Sequence, residues 1–287
     1  MFDFRYHAIS LAAVFLALLV GLLLGVAIGD AQLVSGAREN IRAGLRGEVA
    51  DARREAASAR RDRTRSEDFA DQAYPALVDG RLTGRRIGLV FISQRSRETF
   101  ERVRDALRPS GAMLASVSTL REPIDVAGLA GAARDTRYAA LQGDPGLLGP
   151  LARRLGVQMT QGGRLLQRVR RTLLSSSSGD LEGMEGVVIA HSAQRPEGEP
   201  GEQAEAFERA LVDGLQETNV PAVGVELTST DPSQVPWFND RGLASVDNLD
   251  QVAGRAALVF ALGGADGAFG IKRTADDLLP DTVRPGG

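Results

Sequence analysis

Between Arg5 and Asp30 the chain carries no formal charge, and Ala8–Gly29 reads AISLAAVFLALLVGLLLGVAIG. At about 1.5 Å per residue this stretch reaches roughly 33 Å, enough to cross a hydrocarbon core of about 30 Å. No other feature of the sequence restricts the fold as strongly, because a helix of this length and polarity needs either a bilayer or a large apolar interior around it. A small-residue site at Gly29-Asp30-Ala31 would suit cleavage of a signal peptide. The apolar run is longer than a signal core, and the segment before it, MFDFRYH, is barely basic, so an uncleaved signal anchor is expected. Arg5 stands alone before the span and Arg38, Arg42 and Arg46 follow it, so the positive-inside count leaves the side of the membrane open.

Within the span Ala13, Ala17, Gly21, Gly25 and Gly29 recur every fourth position. They form one smooth stripe with two overlapping GxxxG units, along which two helix backbones can approach closely. From Gln32 to about Asp71 the sequence turns to Arg, Glu, Asp and Ala, with no proline before Pro75. Val34, Ile41, Leu45, Val49, Ala52, Ala56 and Ala59 follow three- and four-residue steps, the seam of a long helix, and the seam weakens to alanine beyond Val49. Charges of both signs on the other faces suit a helix that stands in water and pairs with a copy of itself. A single amphipathic helix lying on a globular body is the alternative. Stripe and seam follow one another, so a parallel homodimer is expected, with Ala13, Ala17, Gly21, Gly25, Gly29, Ile41, Leu45 and Val49 at its interface.

Beyond Pro75 short apolar runs alternate with amphipathic segments. Ile87–Ile92, Met113–Val117, Tyr138–Leu141, Val187–Ala190 and Ala222–Leu227 read as buried strands. Phe100, Val103 and Leu107 mark one helix face, and Phe207, Leu211 and Leu215 another. Strand and helix in alternation predict βαβ crossovers and a mainly parallel sheet covered on both sides, a Rossmann-like domain. The serine-rich Ser175–Gly179 and the segment RPEGEPG, residues 195 to 201, read as exposed connections.

Composition narrows the chemistry. A chain of 287 residues with a net charge of −3 has room for about two units and no global basic field for nucleic acid. There is no Cys, which removes disulfides, thiolate nucleophiles and cysteine metal sites, and the two histidines are His7 and His191. Of the 34 basic residues one is a lysine, Lys272, a bias that reads as genome composition. The glycine-rich Gly263–Gly270 follows an alanine-rich helix from about Asp250 to Leu262 rather than a strand, so it reads as a turn and not as a dinucleotide fingerprint. His191 ends a strand beside Ser192, but adjacent strand residues point to opposite faces and make no Ser-His pair. Met113, Met159 and Met184 are scattered, and Met113 and Met184 read as core fillers, so no copper ligand set is evident. A nucleotide- or sugar-binding enzyme would require a deep pocket at the strand C-terminal ends with convergent polar groups.

The opening FRYHAISLAAVFLALLVGLLLG resembles the start of the mycobacterial copper transport protein B family, and SVDNLDQVAGRAALVFALGGADGAFGIKRTADDLLP, Ser245 to Pro280, is similar to that family's C-terminal VDN and GxFG segments. The resemblance implies a single-pass cell-membrane protein whose globular domain is extracytoplasmic, with a role in copper transport or homeostasis. The matched residues Val246, Asp247, Asn248, Gly267, Phe269 and Gly270 are not copper ligands. The family also includes a homologue acting in cell separation with a second membrane protein, which implies the alternative of a dimeric scaffold regulating cell-wall hydrolysis. The expected organisation is therefore an α/β chain: a transmembrane signal anchor over 1–30, a coiled-coil stalk over 31–74 and a Rossmann-like domain over 80–287. No catalytic residue, cofactor or metal ligand is assigned. The expected partners are a second copy, the lipid bilayer and a second membrane protein.

Overall fold

The computed structural model describes residues 4–192 and 198–281. The first helix, α1, spans Phe4–Val78. Within it Tyr6–Ala27 is long and apolar enough to cross a membrane. The chain divides into two compact units, residues 1–67 and 68–287. In the first, Ile41, Leu45 and Val49 stand 62%, 55% and 48% exposed among the described residues. The helix continues through Pro75, which lacks the N–H that would close the bond to Asp71, and its last turns belong to the second unit.

That unit is built on a seven-stranded sheet. The strands are β1 (Arg86–Ile92), β2 (Met113–Leu120), β3 (Leu174–Gly179), β4 (Gly186–His191), β5 (Ala222–Val225), β6 (Ala244–Val246) and β7 (Ala268–Phe269). Their order is β3-β2-β1-β4-β5-β6-β7, parallel throughout except for the antiparallel edge strand β3. The helices are α2 (Arg97–Ser110), α3 (Val126–Ala132), α4 (Leu148–Gln161), α5 (Arg164–Leu173), α6 (Glu199–Gln216), α7 (Val235–Asn239) and α8 (Val252–Leu262).

Period-two alternation in β1 sorts the core into two layers. Ile87, Leu89 and Phe91 face Tyr74, Val78, α2 and α8, whereas Val90 and Ile92 face α3 to α7. Covering both faces makes the central strands continuous apolar runs, which is why they could be read from sequence. Helices α4 and α6 pack at backbone distance: a Cβ on Gly156 would lie 2.1 Å from the Leu211 carbonyl oxygen, and one on Gly214 would lie 2.0 Å from that of Arg153.

Three expectations need correction. Tyr138 and Leu141 are buried, but in a 3-10 helix over Arg137–Gln142, whose three-residue repeat puts both on one side. The serines of Ser175–Gly179 form strand β3 instead of a loop; its outer edge faces solvent, so it shows no apolar alternation, and Ser176 Oγ lies 3.1 Å from Thr119 Oγ1 as its hydrogen-bond donor. Met113 is 53% exposed at the start of β2, whereas Met184 is in the core. The residues 263 to 270 hold a turn and then β7. Of the RPEGEPG segment, residues 195 to 197 lie outside the described residues.

Candidate functional site

The chain moves outward from β1 to β2 and β3, then returns to β4 on the other side of β1. The strand order therefore reverses between β1 and β4, whose last residues Ile92 and His191 are in register. In open α/β sheets the crevice outside such a reversal, at the strand C-terminal ends, is where ligands bind. Here that crevice is a cavity of about 380 Å³. Phe91, Ala190, Val225 and Leu227 give it an apolar floor, and Gln94, Arg95, Ser96, Thr99, His191, Ser192, Glu226 and Thr230 give it polar walls.

Below the cavity runs a buried polar chain. His191 is 8% exposed, with Nδ1 2.7 Å from Gln234 Oε1 and Nε2 3.3 Å from Glu208 Oε2. Gln234 Nε2 donates to the Pro232 carbonyl at 2.8 Å, so its amide oxygen is left to accept from the imidazole. The ring of His191 stacks on Trp237 at 4.1 Å and 15°, and the Arg241 guanidinium covers that indole at 3.8 Å. Glu208 in turn hydrogen-bonds Glu122, and Ser93 Oγ donates to Glu122 Oε1 at 2.9 Å. Ser93 has φ +82, the left-handed conformation that favours glycine. Its hydroxyl bond to Glu122 ties this backbone to the carboxylate pair.

Burial pushes the Glu122 carboxyl up, and the adjoining Glu208 reinforces the shift, while the Ser93 hydroxyl and His191 oppose it. The folded state thus binds a proton at Glu122 that the unfolded chain releases. That contribution to stability is complete below the ordinary carboxylate range and is lost as pH rises through the raised value. Glu122→Gln keeps an acceptor for Ser93 and supplies a permanent donor to Glu208. It is expected to raise Tm at pH 7, with the gain shrinking toward pH 4; equal gains at both pH values in thermal unfolding would refute the raised titration of Glu122.

A second charged knot closes the far wall. Glu226 is 3% exposed, and it accepts from Lys272 Nζ at 2.6 Å, from Ser233 Oγ at 2.8 Å and from the Gln234 N–H. Lys272 also donates to the carbonyls of Leu227 at 3.2 Å and Thr230 at 2.6 Å. Next to it, Asp247 is fully buried and accepts the N–H groups of Ile271 and Lys272, both at 2.8 Å. A Cβ on Gly270 would lie 1.8 Å from Asp247 Oδ1. The VDN and GxFG segments are therefore two halves of one structural clasp.

Of the residues singled out from sequence, His191 does lie at a strand end on a cavity wall, with its ring nitrogens facing Gln234 and Glu208 and not Ser192. Met159 and Met184 are 2% and 4% exposed in the apolar core. Among the described residues no group of three or more His, Asp and Glu side chains is arranged to hold a metal ion. Sequence reasoning passed over Glu208, Glu226 and Trp237. Glu208 interrupts the apolar face Ala204, Phe207, Leu211, and Glu226 interrupts the strand run AVGVEL; a carboxylate inside an apolar stretch was the available signal.

The family described as copper transport outer membrane protein, MctB, matches residues 1–280. The chain belongs to this family. Membership gives it a role in copper transport at a membrane, and the match takes in both the apolar helix and the whole α/β body. A search of curated proteins returns no match.

Proposed function

We propose that the chain is a non-enzymatic, single-pass envelope protein that serves copper transport as a homodimer in assembly with other proteins, its α/β body outside the cytoplasm and copper its cargo. The observation that carries this reading is the extent of the family match, which joins the anchor helix and the body in one unit. One helix cannot enclose a pore, because backbone in lipid is satisfied only in bundles or closed barrels. Passage of an ion therefore calls for other chains. The small-residue stripe Ala13, Ala17, Gly21, Gly25 and Gly29 and the seam Ile41, Leu45 and Val49 offer a second copy a continuous face. Neither the fold nor the family match favours the cell-separation scaffold, or the second membrane protein that it would need.

The test is cell-associated copper in a deletion strain at matched external copper, complemented by the wild-type gene or by a Val49→Cys variant. Deletion is expected to change copper content, with restoration by either gene, and the variant is expected to be trapped as a crosslinked dimer. Unchanged copper would overturn the transport reading, and a monomeric crosslinking pattern would overturn the dimer.

A further inference from the structure

We propose that the crevice between β1, β4 and β5 is a small-molecule site for a soluble phosphate monoester of a small polyol, with the phosphate at the N-terminus of α2 under Arg95. Nothing in the copper reading requires such a site. The cavity's 380 Å³ is about a dozen water volumes and falls within the usual range of ligand pockets.

Its walls differ in chemistry. On one side α2 begins at Arg97 and runs for 14 residues, so its first N–H groups and its dipole favour negative charge. Ser96 caps this end through Thr99 N at 3.1 Å and itself lines the cavity. Thr99 also lines it and is only 5% exposed, and its hydroxyl has no hydrogen-bond partner among the described residues. A hydroxyl without a protein partner, on a largely buried residue that lines the cavity, is placed to bond a ligand oxygen. Arg95 is exposed on the rim with its guanidinium 5.3 Å from the centre of the Phe100 ring, and its planar fork matches phosphate geometry.

On the other side Gln94, Ser192 and Thr230 present uncharged polar groups above Phe91, Ala190, Val225 and Leu227. That combination suits hydroxyl groups on a short carbon skeleton. The carboxylate in the lining, Glu226, is compensated by Lys272 at 2.6 Å, so it does not set a net charge against the anion. The connection from β1 to α2 contains no glycine. Ser93 takes the positive φ that a glycine would otherwise supply there.

Trp237, the only tryptophan, stacks on His191, which lines the cavity, so its emission is the probe of the site. The full-length chain in detergent micelles is titrated with glycerol 3-phosphate, and with glycerol as the neutral control, while Trp237 emission and Tm are recorded. The ester is expected to give a saturable emission change and a raised Tm, and glycerol neither. Arg95→Gln should raise the half-saturating concentration about tenfold, Arg95→Lys should fall between it and wild type, and Thr99→Val should raise it about threefold. Arg153→Gln, at an arginine paired with Glu217 away from this cavity, should leave it unchanged. No change in either emission or Tm with the ester overturns the site. So does a titration that Arg95→Gln does not alter, or equal responses to glycerol and its phosphate.

Discussion

Gly270→Ala is expected to cost about 3 kcal/mol or more, lowering Tm by roughly 10 °C in a domain of this size. Two effects add. Gly270 has φ +149, which an L side chain rarely adopts, and the new Cβ would meet Asp247 Oδ1 at 1.8 Å. Asp247 cannot retreat, since it is fully buried and holds the N–H groups of Ile271 and Lys272. β7 is attached to β6 by two register pairs and on its other side to Asp276 and Asp277, including a bond from the Gly270 N–H to the Asp277 carbonyl, so a shift of Gly270 disturbs both attachments. Gly264→Ala is the control: φ is +108 there, but no atom lies within 4 Å of the Cβ, leaving conformational strain of about 1 kcal/mol. Thermal unfolding of the two variants separates clash from strain. If Gly270→Ala falls no further than Gly264→Ala, the clasp between Asp247 and Gly270 contributes nothing.

This clasp also shows where sequence reasoning stops. The VDN and GxFG segments were recognisable as a family signature, and their lack of copper-ligand chemistry was legible, but not their mutual contact. β6 has three residues and β7 two, too short for any periodicity to register. Longer elements were readable in proportion to their burial. β1, β2, β4 and β5 sit in the middle of the sheet and appear as apolar runs, whereas β3 exposes all but its first residue and appears as a serine loop. The Tyr138–Leu141 run failed for another reason: four apolar residues fit a strand or a tight helix equally well, and tertiary packing decided for the latter.

The candidate site was less legible than the fold, because its parts are far apart in the chain. Ser93, Glu122, His191, Glu208 and Gln234 come from five separate connections and elements, brought together by the reversal of strand order at β1 and β4. A search for glycine-rich phosphate loops looks past Ser93-Gln94-Arg95-Ser96, where a serine occupies the left-handed conformation. The requirement for a pocket at the strand ends could be stated from sequence; its presence could not. The lysine count carried more than genome composition, as its position shows.

Lys272→Met is expected to cost about 3–5 kcal/mol, since it leaves the carboxylate of Glu226 buried without its cation. The Lys272 ammonium reaches Glu226, the Leu227 carbonyl and the Thr230 carbonyl, so all three of its protons have acceptors. A guanidinium is planar and presents its donors as a fork, and it cannot place three of them on acceptors disposed around one nitrogen. In a chain whose other basic residues are all arginine, this is a physical reason for lysine at one position. Lys272→Arg should therefore be destabilised as well, though less than Lys272→Met because the charge remains. The decisive variant is Glu226→Gln with Lys272→Met: removing both charges leaves an amide whose oxygen can accept from the Gln234 N–H while its NH2 donates to the Ser233 hydroxyl, which turns to accept, so much of the loss should be recovered. Denaturant unfolding of the three variants reads this directly. Were the double variant as unstable as Lys272→Met alone, the cost would lie in lost packing around the lysine stem and not in the stranded charge.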